Sequence, residues 1–233
     1  MQKLNESLWV FEGSNVSFFT MPFSTRMVVV QLADGKLWVH SPIKLTDALL
    51  QEIQQLGEVG YLIAPNHLHH LFIDQWQKAF PDALTYGTEE VAKKRSDLKF
   101  DGVLDSSQTE NLPWHKELDQ LLFTGSRAME ECVFFHKASN TLIVTDLVEN
   151  FRPDFFKPWQ RVIAKGVGIL HPNGKMPIDW RLSFLFSKAE ARQHIQTILS
   201  WKPETLIMAH GVIVEENASE FLKRSFAWLT PIL

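Results

Sequence analysis

From Leu4 to His40 apolar and polar positions follow one another in short, β-like runs. The apolar run 8–11 leads to the turn Glu12-Gly-Ser-Asn15 and then to Val16-Ser-Phe-Phe19. The run 26–32 passes through Ala33-Asp-Gly35 into 36–40. An Asp-Gly pair between two β-rich runs predicts a hairpin, so the chain opens with antiparallel strands. After Ser41-Pro42 the period changes. Thr46 opens a helix in which Leu49, Leu50, Ile53 and Leu56 recur at helical spacing until Gly57 stops it. A strand over 59–64, a helix over 71–79 ended by Pro81, a strand over 83–86 and a helix over 88–95 complete a β-α-β-α series, which predicts a sheet with helices against it.

The stretch 96–120 is polar and irregular and reads as a connection crossing one edge, anchored by Trp114. Strands resume at 121–124, 132–136 and 141–145, the last two joined as a hairpin by Lys137-Ala-Ser-Asn140, with Asp146 at the exit. Residues 151–186 are aromatic and punctuated by Pro153, Pro158, Pro172 and Pro177; their middle, 159–169, predicts a helix weakened by Gly166 and Gly168. Such an insertion could cover a site, mediate self-association or complete the core. Ser187-Lys-Ala-Glu190 reads as a capping box opening a helix with Ile195, Ile198 and Leu199 on one face. A strand over 205–209, then His210-Gly211, then a closing helix over 219–228 end the pattern. The two halves echo each other, hairpins followed by β-α units, with no internal repeat. An α/β four-layer αββα sandwich in a single domain over residues 1–233 satisfies this order.

Composition changes that picture little. With 233 residues and 45% hydrophobic residues the chain can bury a substantial core. The net charge of −4 and the absence of a basic stripe exclude a nucleic-acid footprint. Cys132 has no second cysteine to pair with and lies in an apolar segment, which predicts a buried, inert thiol in a reducing compartment. The amino terminus lacks a signal peptide's apolar stretch, and no run approaches the about 20 residues that cross a bilayer. The expectation is a cytoplasmic protein with no membrane and no nucleic-acid partner.

The chemistry concentrates in Ala64-Pro-Asn-His-Leu-His-His-Leu-Phe72, where His67, His69 and His70 follow a strand and precede a helix. Neutral imidazole is the commonest metal ligand, and a strand-to-helix loop is a common place for a metal or acid-base site. The plainer alternative is that one or two rings cap the helix or fill space. Asp146 and His210 stand at two further strand exits, and side chains at strand ends of one sheet edge converge although far apart in sequence. Two or three imidazoles and a carboxylate suit one Zn or Fe ion, and an open position on the metal would present hydroxide to a carbonyl or phosphorus centre. His115, His136, His171 and His194 read as structural or solvated. No Gly-x-Ser-x-Gly elbow, Walker loop or Rossmann glycine pattern occurs, so an organic cofactor is not expected.

The order His-Leu-His, Thr-Asp-Leu, Ala-His-Gly resembles the metallo-β-lactamase fold superfamily. More closely, Pro65-Asn66 with His69-His70-Leu71-Phe72, Val133-Phe-Phe-His136, Thr141 to Leu147 and His210-Gly211 are similar to an uncharacterised family within it. The resemblance implies a metal held by His67, His69, His70, Asp146 and His210, with Asp146 and His210 catalytic, and hydrolysis of a small-molecule ester, thioester, amide or phosphoester. The chain departs from the superfamily loop His-x-His-x-Asp-His: with His67 and His69 in its first two places, Leu71 and Phe72 stand where the aspartate and last histidine belong, so one metal is implied rather than two; in the closer family the His69-His70 pair is the repeated element, which leaves His70 as the alternative to His67. The glycine-rich turn 125–131 carries no histidine; Glu130 or Glu131 could substitute there as an oxygen ligand, and the plainer reading of each is a solvated or salt-bridged side chain. His40-Ser41-Pro42 stands where relatives carry Asp-x-Gly. A metal-poor, non-catalytic binding protein is the alternative, and self-association through residues 151–186 is the partner contact expected.

Overall fold

The computed structural model describes residues 1–18, 21–107 and 109–229, in two compact units. Phe19, the end of one expected strand, lies outside the described residues. The first unit holds residues 1–15 and 24–117, the second residues 16–23 and 118–233.

In the first unit β1 (Gln2–Asn5) and β2 (Leu8–Glu12) pair antiparallel. The hairpin β3 (Val16–Phe18) and β4 (Met21–Phe23), which falls to the second unit, interrupts the order. The first unit then continues with β5 (Arg26–Gln31), β6 (Lys36–His40), α1 (Asp47–Leu56), β7 (Glu58–Ala64), α2 (Ile73–Ala79), β8 (Leu84–Gly87), α3 (Glu89–Lys94) and β9 (Gly102–Val103). The sheet order is β1-β2-β5-β6-β7-β8-β9, antiparallel up to β6 and parallel beyond, as the hairpins and β-α units predict. Thr46 caps α1 by accepting the N–H of Leu49, and Gly57 ends it. One face of the sheet buries Phe11, Val29, Val39, Leu62 and Trp76. On the other, Trp114 is fully buried and meets Trp38, Tyr61 and Tyr86 edge-on at centroid distances of 6.3, 5.5 and 4.8 Å. Trp114 is thus the anchor of the irregular crossing. Helix α2 begins at Ile73 rather than at residue 71, because the preceding turn holds the backbone of the histidine loop.

The second unit's main sheet runs β10 (Leu118–Phe123), β11 (Glu131–His136), β12 (Thr141–Ile143), β13 (Thr205–Ile207) in that order. The hairpin between β11 and β12 forms as predicted, while β10 starts three residues earlier than the polar pattern suggests, pairing Leu118 with His136. Cys132 is buried and outside any disulfide. Helices α4 (Pro158–Val167), α5 (Ile178–Ser183), α6 (Lys188–Ser200) and α7 (Ala218–Ser225) complete the unit. Helix α5 is absent from the sequence pattern because it is short, six residues, and buries Trp180 while Ile178 and Leu182 stand exposed. The capping box expected at α6 does not form. The Ser187 hydroxyl donates to the Gly125 carbonyl, and Glu190 accepts from the Thr124 hydroxyl at 2.5 Å. Those bonds tie the helix to the end of β10 instead of closing its own first turn.

Candidate metal centre

Strands β12 and β13 are parallel, with Ile143 opposite Ile207. Asp146 and His210 each stand three residues beyond that pair, so the register delivers both side chains to the same edge. Asp146 Oδ1 lies 3.0 Å from His210 Nε2, and each side chain is more than nine-tenths buried. Two of the residues singled out in the sequence therefore meet.

Each partner is fixed from behind. The fully buried Glu131 accepts the backbone N–H groups of Thr145 at 2.7 Å and of Asp146 and Leu147 at 2.8 and 3.1 Å. It is neither solvated nor salt-bridged as its sequence context suggests; it is the anchor of the Asp146 turn. The His210 carbonyl accepts from Asn150 N–H at 3.1 Å, and the next residue, Gly211, has φ +98°. A Cβ on Gly211 would sit 2.3 Å from the Asn150 backbone, so only glycine lets these two segments touch. Phe23 meets the His210 ring edge-on at 5.1 Å and Phe151 stacks on it at 6.0 Å, which sets the plane of the imidazole.

The electrostatics around the pair favour a cation. Burial and then the Asp146 charge push the Glu131 carboxyl up to about 7. Glu149, also buried, is raised well above the usual carboxylate range by burial and by the charges of Asp146, Asp179 and Glu131. Several acids share a desolvated region with one imidazole, an arrangement that a divalent ion relieves. A carboxylate oxygen and an imidazole nitrogen pointing at one spot are a donor set that Zn²⁺ or Fe accepts, so the residues present fit the implied metal.

In the first unit the three histidines of the loop take separate partners. Asn66, fully buried, accepts the N–H groups of Leu68 and His69 at 2.8 and 3.0 Å and so sets the loop's turn. His67 Nδ1 pairs with Glu90 at 2.8 Å. His70 is buried beside Arg95 Nη1 at 3.4 Å, and burial with the Lys94 and Arg95 charges lowers its pKa to about 4. His69 Nδ1 bonds the Ser41 hydroxyl at 2.6 Å. Ser41 holds a left-handed φ of 53°, and its N–H donates to the Ile63 carbonyl at 2.9 Å. Among the described residues, no close group of three or more metal-competent side chains includes His67 or His70. Ser41, Asn66 and Glu131 are positioning residues, a role that sequence reasoning gave to none of them. The Asx-turn signal of Asn66 was legible, the other two were not.

Residues 5–155 match the family described as a domain of unknown function, DUF4336. The chain belongs to that family. The match takes in the histidine loop, Glu131 and Asp146 and stops short of His210. Comparison of this DUF4336 protein with curated proteins finds no match. Among solved structures, it is similar to a metallo-β-lactamase from Pontibacter korlensis, at 12% identity and a TM-score of 0.65, covering 99% of this chain and 98% of that one. A metallo-β-lactamase from Hirschia baltica is similar at 14% identity and 0.64, covering 98% and 95%. The metallo-β-lactamase FIM-1 from Pseudomonas aeruginosa, in its mono-zinc form, is similar at 7% identity and 0.63, covering 99% and 96%. The DUF4336 chain therefore has the α/β fold of the metallo-β-lactamases, the fold its motifs imply.

Proposed function

We propose that the protein is a mononuclear metal-dependent hydrolase of a small ester, thioester, amide or phosphoester. The observation that carries this reading is the buried contact of Asp146 Oδ1 with His210 Nε2 at 3.0 Å, at the end of two parallel strands in a desolvated, acid-rich setting. Such a pair is costly to bury without a charge to balance the surrounding carboxylates. Asp146 and His210 would hold one Zn or Fe ion, with His69 as a further ligand. The order of motifs along the chain supports His69, as does the contrast within its own loop, where His67 is engaged by Glu90 and His70 lies among cations.

When bound, the ion would supply an activated water able to attack a carbonyl or phosphorus centre. The chain's own residues orient and protect that chemistry. Glu131 fixes the Asp146 carboxylate through three backbone N–H groups, and Phe23 and Phe151 set the His210 ring and keep water from one side of it.

Elemental analysis of protein purified without added metal is the decisive experiment, followed by thermal unfolding with and without Zn²⁺. One ion per chain, or a rise in Tm on adding Zn²⁺ that Asp146→Ala and His210→Ala abolish, is expected. Absence of both removes the hydrolase and leaves a metal-poor scaffold that acts by binding.

A further inference from the structure

Seven of the eleven large hydrophobic residues that stand exposed among the described residues fall between residues 159 and 186. Three of them, Trp159, Val162 and Ile163, are on α4, at 54, 73 and 49% exposure. With about 100° of turn per residue they share one face of the helix, while Gln160 and Ala164 are buried on another. Lys157, Arg161 and Lys165 fall on the side away from the three apolar residues, and Arg161 Nε donates to the Pro153 carbonyl at 2.8 Å. The exposed strip is therefore apolar and uncharged, the reverse of what a core-facing amphipathic helix presents to water. Helix α5 and the turn after it add Ile178, Leu182, Leu185 and Phe186. Arg181 ties them to the end of α4 by donating to the Val167 carbonyl at 3.2 Å.

Gly166 completes the strip on α4. It lies two turns beyond Trp159, is exposed and has helical backbone. A Cβ there would meet no atom within 4 Å outside its own helix backbone and chain neighbours. Neither a left-handed conformation nor a close neighbour calls for glycine, and it is Gly168, at φ +85°, that ends the helix. Glycine weakens a helix relative to alanine, and nothing within the chain offsets that loss. Its effect is a notch in the apolar strip, open only to a side chain from outside. The strip thus runs from the largest side chain to none: Trp159, Val162, Ile163, Gly166. Reversed about the point midway between Val162 and Ile163, it sets Trp159 opposite Gly166 and Val162 opposite Ile163.

We propose that this face is a two-fold interface with a second copy of the chain. The two α4 helices run antiparallel about an axis between Val162 and Ile163, and the Trp159 ring of each copy fills the notch at Gly166 of the other. A two-fold interface must be complementary to itself, and a strip that pairs large with small when reversed meets that condition. The area is also sufficient. A fully exposed large side chain presents roughly 150–250 Å², so the seven, weighted by their exposure, offer on the order of 800 Å², about what each partner contributes to a standard-sized interface. A lipid surface accounts for neither the notch nor the cations placed off the strip.

The test is sedimentation equilibrium of the full-length protein at concentrations up to about 1 mM, where even a weak interface populates a dimer. A monomer–dimer equilibrium is expected. Trp159→Ala should raise its Kd by roughly tenfold or more, as loss of a central aromatic anchor does. Gly166→Leu separates a notch from general stickiness. In the monomer the leucine meets open space and favours the helix, so the Tm of dilute protein should hold or rise. The dimer, its notch filled, should weaken by a similar factor of roughly tenfold. Association driven by apolar surface alone would instead tighten with the added leucine, and that result overturns the proposal. So does a monomer at every concentration, or a dimer whose Kd neither variant changes. Monomeric protein that co-sediments with phosphatidylcholine vesicles assigns the face to a membrane and overturns it as well. None of these readouts depends on the metal site.

Discussion

Asp146 donates its backbone N–H to Glu131 Oε2 at 2.8 Å, across fifteen residues of sequence. The same carboxylate takes Thr145 on its other oxygen and Leu147 on the same one. A glutamine can keep its carbonyl oxygen toward Asp146 and Leu147, but its amide then faces the Thr145 N–H, donor against donor. Glu131→Gln is therefore expected to lose about 1–3 kcal/mol of stability, the cost of one orphaned buried donor. It is also expected to weaken Zn²⁺ binding by about 10- to 100-fold, as loss of a residue that orients a ligand does. Urea unfolding and zinc titration measure the two effects separately, and unchanged zinc affinity would show that Glu131 serves the fold alone.

Gly211 offers a sharper test of how His210 is placed. With φ at +98° and the Asn150 backbone 2.3 Å from where a Cβ would stand, Gly211→Ala meets both a strained conformation and a collision with main chain that has no rotamer to yield. A loss of about 3 kcal/mol or more is expected. The variant should also lose zinc-dependent stabilisation, because His210 moves with the displaced segment. Equal Tm shifts on adding Zn²⁺ to wild type and variant would show that the close approach is not what positions the ring.

The contrast between Asp146 and Glu131 shows which features were legible in the sequence. Asp146 and His210 sit just after apolar runs, and strand ends are visible as changes of period, so both could be singled out without coordinates. Glu131 opens a strand beside a glycine-rich turn, where a carboxylate ordinarily faces water; its partners are backbone groups that carry no sequence signal. Helix α1 was legible through Thr46, Gly57 and a clean apolar face, whereas on α4 the same periodicity pointed the wrong way. Trp159, Val162 and Ile163 make an apolar stripe that stands exposed, while Gln160 and Ala164 face inward. Periodicity locates an apolar face; it does not say what covers it.

His40 gives the fold a dependence on pH. Burial, and then the neighbouring His69, lower its pKa from 6.5 to about 3. Below pH 6.5 the unfolded chain takes up a proton that native His40 refuses, so this site's contribution is complete above 6.5 and is lost as pH falls toward about 3. The slope is on the order of 1 kcal/mol per pH unit. His40→Leu is expected to flatten this acid limb, measured by urea unfolding from neutral pH down to about pH 4.5. Parallel slopes in the two proteins would mean that other groups set the acid sensitivity.

The bond between Ser41 and His69 separates support of the site from support of the fold. Ser41 adopts a left-handed φ of 53°, which a side chain disfavours by about 1 kcal/mol and glycine tolerates. Its hydroxyl contributes a hydrogen bond of about 1 kcal/mol to His69 Nδ1. Ser41→Gly removes the strain and the bond together, so its stability should stay within about 1 kcal/mol of wild type. If His69 is a ligand, losing the group that holds its ring should still weaken zinc affinity by about 10- to 100-fold. Zinc titration of a variant that unfolds like wild type isolates that loss. An unchanged affinity would remove His69 from the ligand set while leaving the Asp146–His210 pair as the candidate centre.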